Sequence, residues 1–576
     1  MKIHKFRAPP DIAIDVLPFE LNELAFTEWL DHLSFKNSRL ACQKLYSVLK
    51  ALDRTVLDLR LEFAFLHSTV PVVDGLAERL EFSFVDSGFP LTEEELTDVE
   101  ILGWTYMHLA SRFSLLYQQI EAEEEHWSEA DKAKTLYRAF YTVGRQQLYA
   151  NEVYMLVYNG FWQKCYQNYL QAEKSSLLDY PISEGENNNS TINAVFKQIL
   201  IFDICDTNCF RSRDIKNLYG LLKRFSDMAV IMDKPPANQE IGVFQFNLNS
   251  DQNPKKLSPA MPSSDNFSRY IDVIPVAKKL YRSLQQRENG RNTLQSANKA
   301  LLLKVVSMLS KGRKRKNTRF TSQGNAAGFI GFNNAVSVIA KAHGKTANNL
   351  MPIPVYDPRI AGRWKEPDFD LVPIGDEFEH QLHQKQCAGV IIDPKIAKIL
   401  EAGSQVNSHA GDWTQANNER SRLMEEVAIG HFDVCNSSIK GYGLLWKSGA
   451  QKVKIGEIFG VEQDQGKRIE IGLVRRITIQ SDQALKLGVE LIGLESDMIW
   501  LVRAGINKSQ GMLAIFIPAM AVLRQPDSIV VANTQLKSGL AVVIYQDNSE
   551  ISCKLGNLLH STPAVSHFEL VYDASV

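Results

Sequence analysis

The sequence predicts an α + β protein of several domains, with an N-terminal all-α domain followed by a C-terminal β region. Apolar residues recur at helical spacing in the first half, a Pro-, Asn- and Ser-rich stretch interrupts the middle, and alternation dominates the last third. The 576 residues are 45% hydrophobic and 23% charged, as in an ordinary globular protein. A formal net charge of −2 indicates no overall preference for nucleic acid or for an anionic membrane.

The all-α prediction covers residues 1–235 and begins from one apolar stripe. Its members follow one another at alternating steps of four and three residues, which places them on one face of a single helix. They are Leu45, Leu49, Leu52, Val56, Leu59, Phe63 and Leu66. The segments 101–120, 133–156, 161–178 and 191–231 have similar spacing. Because such stripes must be buried against one another, we expect one helical domain.

The middle of the chain is predicted to be a linker followed by a helix. Residues 236–267 are rich in Pro, Asn, Ser and Gln, which is typical of linkers. Residues 268–312 have helical spacing and are predicted to form a connecting helix. Residues 313–345 comprise a basic segment and the run "NAAGFIGFNNAVSVIA", for which we expect the first strand of a barrel. Residues 346–418 have little periodicity and are predicted to be an irregular insertion.

The β region is predicted from alternation in its strands. In "KRIEIGLVRRITIQ", apolar residues recur at even steps at Ile469, Ile471, Leu473, Ile477 and Ile479. Short strands separated by Gly, Asn and Asp turns continue to the C-terminus. We expect an antiparallel barrel over residues 419–505 and an additional small β domain over residues 506–576.

The sequence contains no recognisable catalytic or metal site. Phosphate-binding loops, dinucleotide fingerprints, nucleophile elbows and zinc-protease motifs are all missing from it. Cys205 and Cys209 are spaced poorly for zinc and are predicted to face the core. The run from Glu121 to His126 has acids at adjacent positions, which favours a solvated connection over a metal centre.

An aromatic series at helical spacing follows in the helical domain. Its members are Tyr154, Tyr158, Trp162, Tyr166 and Tyr169. Such a series could stack on bases, but it is more often helix-packing core, which is our prediction.

The chain is predicted to be cytoplasmic, without membrane insertion. Pro9 and Pro10 interrupt the N-terminus before a signal sequence can form. The longest apolar run, from Met512, has twelve residues and a proline, whereas a spanning helix needs roughly twenty. Seven cysteines without a repeated spacing suit a reducing compartment.

A dense basic segment interrupts this balanced chain. Six of the nine residues from Lys311 to Arg319 are cationic, including Arg313, Arg315 and Arg319. A solvated basic loop or a nonspecific nucleic-acid patch could explain it. Its position just ahead of a strand-like run favours a defined anionic ligand, because the planar guanidinium can hold phosphate with two hydrogen bonds and stack on a purine.

Two motifs lie in order ahead of the predicted strands of the β region. Arg315 to Arg319 fits R-x-x-x-R, and Asn436, Ser438 and Gly441 fit [D/N]-x-S-x-x-G. Together they resemble the motifs of PilZ domains, the bacterial receptors for the second messenger cyclic di-GMP. The runs "LVRRI" and "KLGVELIG" resemble the strands that follow in the family. The N-terminal half is similar to the helical region of one group of large PilZ proteins. The first motif also occurs at Arg287/Arg291 and Arg359/Arg363, so the second motif is the more specific.

The resemblance implies a nucleotide clamp in the predicted PilZ-like barrel. Arg315 and Arg319 would bind phosphate and guanine, while Asn436 and Ser438 would hold the other side of the nucleotide near Gly441. Arg313 and Arg475 are further ligand-binding candidates. The motifs lie more than 100 residues apart, farther than in a compact PilZ domain. Either the insertion separates them within one barrel, or they belong to different domains, with Arg420 and Arg422 supplying part of the charge.

The resemblance implies that the protein is a receptor that binds a signalling molecule and does not catalyse a reaction. We expect the ligand to be cyclic di-GMP, with no cofactor, and the partner to be a protein of a motility, pilus, adhesion or biofilm system. A nucleic-acid polymer is not expected to bind. The alternatives are a degenerate PilZ-like adaptor that binds only protein and, third, an enzyme with a carboxylate site in the helical domain.

Overall fold

The computed structural model describes most of the chain as two compact units. The described residues are 16–33, 35–123, 127–183, 189–236, 241–257, 265–288, 299–311, 320–321, 324–345, 427, 429–446, 451–463, 468–480, 484–520, 525–532, 536–547 and 549–572. The first unit comprises Met1–Lys316 and Ile477–Leu485, and the second comprises Asn317–Arg476 and Lys486–Val576. The predicted insertion at 346–418 lies outside the described residues.

The first unit begins with helices packed around a large apolar core. They are α1 (Glu23–Asp31), α2 (Ser38–Leu52), α3 (Leu59–Phe84), α4 (Glu93–Ala122), α5 (Glu129–Glu152), α6 (Phe161–Lys174), α7 (Ile192–Ile204) and α8 (Ser212–Phe225). Two short strands, β1 (Ile182–Ser183) and β2 (Asn189–Ser190), pair between α6 and α7. Helix α4 begins with a capping box in which Thr92 and Glu95 exchange side-chain and backbone hydrogen bonds. The predicted helical domain is confirmed.

The apolar stripe from Leu45 does not lie on one helix, contrary to the prediction. Helix α2 ends at Leu52, and α3 begins at Leu59. The Asp58 side chain accepts hydrogen bonds from the backbone N–H groups of Arg60 and Leu61, which starts a new helix. Val56 lies in the break and is 98% exposed.

A four-stranded sheet has two of its strands in the region where the sequence predicts a linker. The strands are β3 (Val230–Met232), β4 (Val243–Asn247), β5 (Lys255–Lys256) and β6 (Ser268–Asp272), in the order β3-β6-β4-β5. Two helices follow, α9 (Ile274–Glu288) and α10 (Lys299–Lys311), in place of one connecting helix. The loop after β4 has a linker-like composition, but it is attached to α6 by hydrogen bonds. The Asp251 carboxylate accepts them from the backbone N–H groups of Gly160, Trp162 and Gln163 at the start of that helix.

The second unit begins with an antiparallel barrel. Its elements are β7 (Phe320–Thr321), β8 (Asn325–Ile330), α11 (Phe332–Ala342), β9 (Gly430–Ser438), β10 (Gly441–Trp446), β11 (Ile458–Gln463), β12 (Arg468–Ile479) and β13 (Leu485–Gly493). The strand order is β10-β13-β12-β11-β8-β9-β7, and β9 also pairs with β10. This second pairing closes β8 to β13 into a ring, so the predicted barrel is confirmed.

The run "NAAGFIGFNNAVSVIA" is not one strand, contrary to the prediction. Strand β8 ends at Ile330, and α11 begins at Phe332 after Gly331, whose φ is +96°. Ala335, Val336 and Ile339 of α11 are buried at helical spacing. The small and apolar residues therefore serve a strand and then a helix that packs beside it.

A second barrel completes the chain. Its strands are β14 (Asp497–Arg503), β15 (Met512–Ile517), β16 (Ser528–Ala532), β17 (Ala541–Gln546), β18 (Ser549–Ser561) and β19 (Val565–Tyr572), closed in the order β14-β15-β16-β19-β18-β17. It begins at Asp497, ahead of the boundary at 506 that the sequence suggests. One apolar cluster joins α11, Ile471 of the first barrel and Trp500 of the second. Within the described residues, no helix has the length and apolar character needed to cross a membrane.

Candidate functional site

The N-x-S-x-x-G motif forms a tight hairpin between β9 and β10. Ser438 at the end of β9 pairs with Gly441 at the start of β10, so Ile439 and Lys440 form the turn. The Ser438 hydroxyl donates to the carbonyl oxygen of Gly441 at 3.3 Å. Asn436 and Ser438 are half-buried, whereas Ile439 is 66% exposed. The motif therefore lies in the structured part of the barrel, with its turn facing solvent.

Gly441 is required by the close approach of β13. A Cβ added at Gly441 would lie 2.0 Å from the carbonyl oxygen of Val489, and φ at this glycine is +155°. The neighbouring Leu491 N–H donates to the carbonyl oxygen of Lys440 at 3.0 Å. Because backbone atoms make the contact, no rotation of a side chain could relieve it.

The Asn436 and Ser438 side chains point to the outer face of the barrel. Ser437 lies between them and pairs with Tyr442, so these two side chains share the opposite face. The Tyr442 hydroxyl donates to buried Glu470 at 2.7 Å, and burial followed by this hydrogen bond raises the pKa of Tyr442. Since Tyr442 points inward, the alternation of side chains along β9 turns Asn436 and Ser438 outward.

Strand β7, which follows the basic segment in the sequence, pairs with β9, the strand that carries Asn436 and Ser438. Phe320 pairs with Ser437, and Thr321 pairs with Asn436. Phe320 directly follows Arg319 in the sequence. Arg313, Arg315 and Arg319 themselves lie outside the described residues, as do Arg420 and Arg422. The register nevertheless shows that the chain leaving the basic segment runs alongside the strand that carries Asn436 and Ser438.

Arg475 lies on β12 and is held by two partners. Its Nε donates to Glu490 at 2.7 Å, and its Nη2 lies 3.0 Å from Nδ1 of His560 in the second barrel. Burial and the positive charge of Arg475 lower the pKa of His560, which favours a neutral ring that accepts this hydrogen bond. A Cβ at Gly441 would lie 3.3 Å from Cα of Glu490. Glu490 thus stands between Arg475 and the motif turn.

The other candidates of the helical domain are part of its packing. Cys205 and Cys209 are buried, as predicted. Glu121 forms an ion pair with Lys132 at 2.8 Å, and His126 lies outside the described residues. Among the residues that the structure describes, no group of three or more His, Cys, Asp or Glu side chains could hold a metal ion.

The aromatic series is buried core at most of its positions. Tyr154, Trp162, Tyr166 and Tyr169 are buried, which confirms the core prediction. They do not share one helix, because α5 ends at Glu152 and α6 begins at Phe161.

Several residues beside the motif were not among the sequence candidates. Thr321 and Gly443 both pair with Asn436, on its two sides. Glu490 and His560 hold Arg475. The second glycine in "GYG" was a usable signal, because glycine inside a strand often marks a close approach. Sequence offers no comparable signal for Thr321, whose place depends on pairing with a strand far along the chain.

Comparison with known families gives three consecutive matches. "Cyclic-di-GMP receptor FimW, N-terminal domain" matches residues 24–236. "Cyclic-di-GMP receptor FimW, middle PilZ domain" matches residues 243–497, and "FimW C-terminal beta-barrel domain" matches residues 498–572. No curated protein and no solved structure matches the chain. The three matches follow the order of the helical region, the first barrel and the second barrel.

Proposed function

The chain belongs to the FimW family of cyclic-di-GMP receptors, and from this premise we propose that it binds cyclic di-GMP on the outer face of the first barrel. Asn436 and Ser438 would contact the nucleotide from β9, and Gly441 would leave room at the turn. Arg315 and Arg319 would close over the phosphates and a guanine, with Arg313 adding positive charge.

The observation that carries this proposal is the pairing of β7 with β9. Phe320 is opposite Ser437, so Arg319 is joined by one peptide bond to a residue that lies beside the motif. Consecutive Cα atoms are only about 3.8 Å apart, which leaves the basic segment within reach of Asn436 and Ser438.

The side chains of this face suit an anionic dinucleotide. A guanidinium can make paired hydrogen bonds to phosphate, and the Asn amide and Ser hydroxyl can both donate and accept. Arg475 enters the proposal as a nearby positive charge, since two of its nitrogens already contact Glu490 and His560. No catalytic step is needed for this function.

Binding would pass a signal to another protein. We propose that nucleotide orders the basic segment against the barrel and so changes the surface presented to a partner in motility, adhesion, pilus or biofilm control. We place this receptor in the cytoplasm, because seven cysteines without a repeated spacing suit a reducing compartment.

A second candidate function is an adaptor that binds only protein. Phe320 is 68% exposed and Ile439 is 66% exposed, and both lie next to the motif. Under this candidate function, these two side chains would belong to a larger apolar contact with a protein partner. Under this alternative the motif would be a structural turn without a ligand.

A thermal-shift titration with cyclic di-GMP separates the two functions. A ligand that binds only the native state raises the free energy of unfolding by about 2.7 kcal/mol at a hundredfold excess over Kd. We expect a concentration-dependent rise in the unfolding temperature of the wild type and a much smaller rise for Ser438→Ala. Excess cyclic di-AMP serves as the control for specificity. An unchanged wild-type unfolding temperature over a wide ligand range would favour the adaptor.

A further inference from the structure

Gly443 lies directly beneath the side chain of Asn436. The two residues pair across β9 and β10, just before a bulge in the register. A Cβ added at Gly443 would lie 2.6 Å from Nδ2, 2.7 Å from Oδ1 and 2.9 Å from Cγ of Asn436. All three close atoms belong to one side-chain amide. The amide therefore rests over the backbone of β10, in the space that a side chain at Gly443 would fill.

The backbone of Gly443 does not itself require glycine. Its φ is not in the positive range, unlike that of Gly441. An L-residue could adopt this strand conformation, and the atoms nearest to its Cβ would be those of Asn436. The space at Gly443 is thus matched to one side chain, and that side chain belongs to the motif.

We infer that Gly443 is a positioning residue that seats the Asn436 amide for nucleotide binding. This inference rests on the proposed function. Thr321 pairs with Asn436 from the other side, so the amide lies between β7 and β10 in a row of three residues. A side chain held in one place before the ligand arrives loses less conformational freedom on binding. Gly443 would act only through Asn436, without touching the nucleotide.

A double-mutant cycle on cyclic di-GMP binding tests this role. Calorimetric titration would compare wild type, Gly443→Ala, Asn436→Ala and the double variant. We expect each single variant to bind about tenfold more weakly, as for the loss of one hydrogen bond to a charged ligand. The double variant should bind as weakly as Asn436→Ala alone, because the seat has no function without the amide.

The same variants give a readout on the contact itself. Gly443→Ala should lower the unfolding temperature because the new methyl group displaces the amide, and adding Asn436→Ala should restore part of the loss. If Gly443→Ala alone fails to fold, recovery of folding in the double variant supports the contact. Gly556→Ala, at a strand glycine of the second barrel, controls for the general cost of the change and should bind normally.

Three results would overturn the inference. A folded Gly443→Ala variant that binds like wild type would show that the seat does not matter for the ligand. Binding losses that multiply in the double variant would show that the two positions act independently. A wild type that does not bind cyclic di-GMP would overturn the proposed function as well, and this outcome is distinguishable because it appears before any substitution is made.

Discussion

The two barrels of the second unit share an architecture but differ in their use of glycine. Strands β8 to β13 contain eight glycines, whereas strands β14 to β19 contain one. Those of the first barrel are Gly328, Gly430, Gly441, Gly443, Gly460, Gly472, Gly488 and Gly493, and that of the second is Gly556. Glycine weakens a strand, and it often marks a point where another backbone or a ligand approaches closely. We therefore interpret the eight glycines as points of close approach to the strands of the first barrel.

The location of these glycines matters more than their number. A Cβ at Gly460 would lie 2.0 Å from the ring of Phe329, so this glycine allows tight packing inside the protein. Gly441 and Gly443 instead lie beside the polar side chains of the motif. The second barrel has an apolar core that includes Ile529 and Phe568. Because the glycines beside the motif belong to the first barrel, we propose that the first barrel provides a binding surface and that the second serves as a scaffold.

The largest expected effect is the loss of stability caused by a cavity in the second barrel. Ile529 is fully buried in its core. Ile529→Ala should lower the free energy of unfolding by about 2–5 kcal/mol, because it removes apolar contacts and leaves a cavity. Chemical denaturation monitored by circular dichroism measures this loss. Cyclic di-GMP titrated under native conditions should bind with an unchanged Kd. Weakened binding by the folded variant would break the distinction between surface and scaffold.

Gly441→Ala should affect both stability and binding. The new Cβ meets the Val489 carbonyl oxygen, a backbone atom that cannot rotate away. We expect a loss of about 1–3 kcal/mol in the free energy of unfolding, as for other overpacked sites. Denaturation curves and calorimetry measure the two effects.

Gly556→Ala is the matched control for Gly441→Ala. The atoms nearest to its Cβ would be side-chain atoms of Val571 and Glu569, at 2.9 and 3.2 Å, in place of the backbone oxygen that Gly441 meets at 2.0 Å. We expect a loss below about 1 kcal/mol and normal binding. Equal losses for the two variants would mean that the strand glycines of both barrels have the same role.

Arg315→Ala and Arg319→Ala should weaken cyclic di-GMP binding by about ten- to a hundredfold. Hydrogen bonds to a charged group contribute roughly 1.5–3 kcal/mol, which corresponds to this range. Calorimetric titration measures the change. This prediction sharpens the comparison between the two barrels, because it expects the basic segment to bind the nucleotide together with the first barrel and not with the second.

Arg287→Ala and Arg359→Ala are the controls for these two variants. Both positions fit R-x-x-x-R in the sequence without preceding the strand that pairs with the motif. Their binding should match that of wild type. If Arg319→Ala behaves like them while wild type binds, the basic segment is not part of the clamp.

Much of the fold could be predicted because burial leaves a local pattern in the sequence. Helical spacing identified α4 and α5, and alternation identified β12. The helix break at Asp58 could not be recognised from the stripe, because the capping hydrogen bonds compete with continued apolar spacing. The residues of the motif were also recognisable, whereas the pairing of Thr321 with Asn436 joins strands more than 100 residues apart. Nothing local encodes such a pairing.

The smallest expected effect is a difference in pH dependence between the barrels. Burial, followed by the charges of His560 and Arg475, lowers the pKa of His567 to about 3, and neither ring nitrogen has a hydrogen-bond partner among the described residues. Unfolded histidine has a pKa of about 6.5, so the unfolded chain gains a proton first as pH falls.

The native state should therefore lose about 1 kcal/mol of stability as pH falls from 6.5 to 5.5 and about 1.4 kcal/mol over the next unit, and His567→Gln should flatten this slope. In the first barrel, burial raises the pKa of Glu457, so its contribution to stability is lost as pH rises through the folded value. Glu457→Gln should therefore remove a loss of stability that occurs as pH rises, whereas His567→Gln removes a loss that occurs as pH falls. Unfolding free energies measured from pH 5 to 7.5 for both variants test the pair. An unchanged slope in His567→Gln would mean that this histidine is not the group that makes the second barrel sensitive to acid.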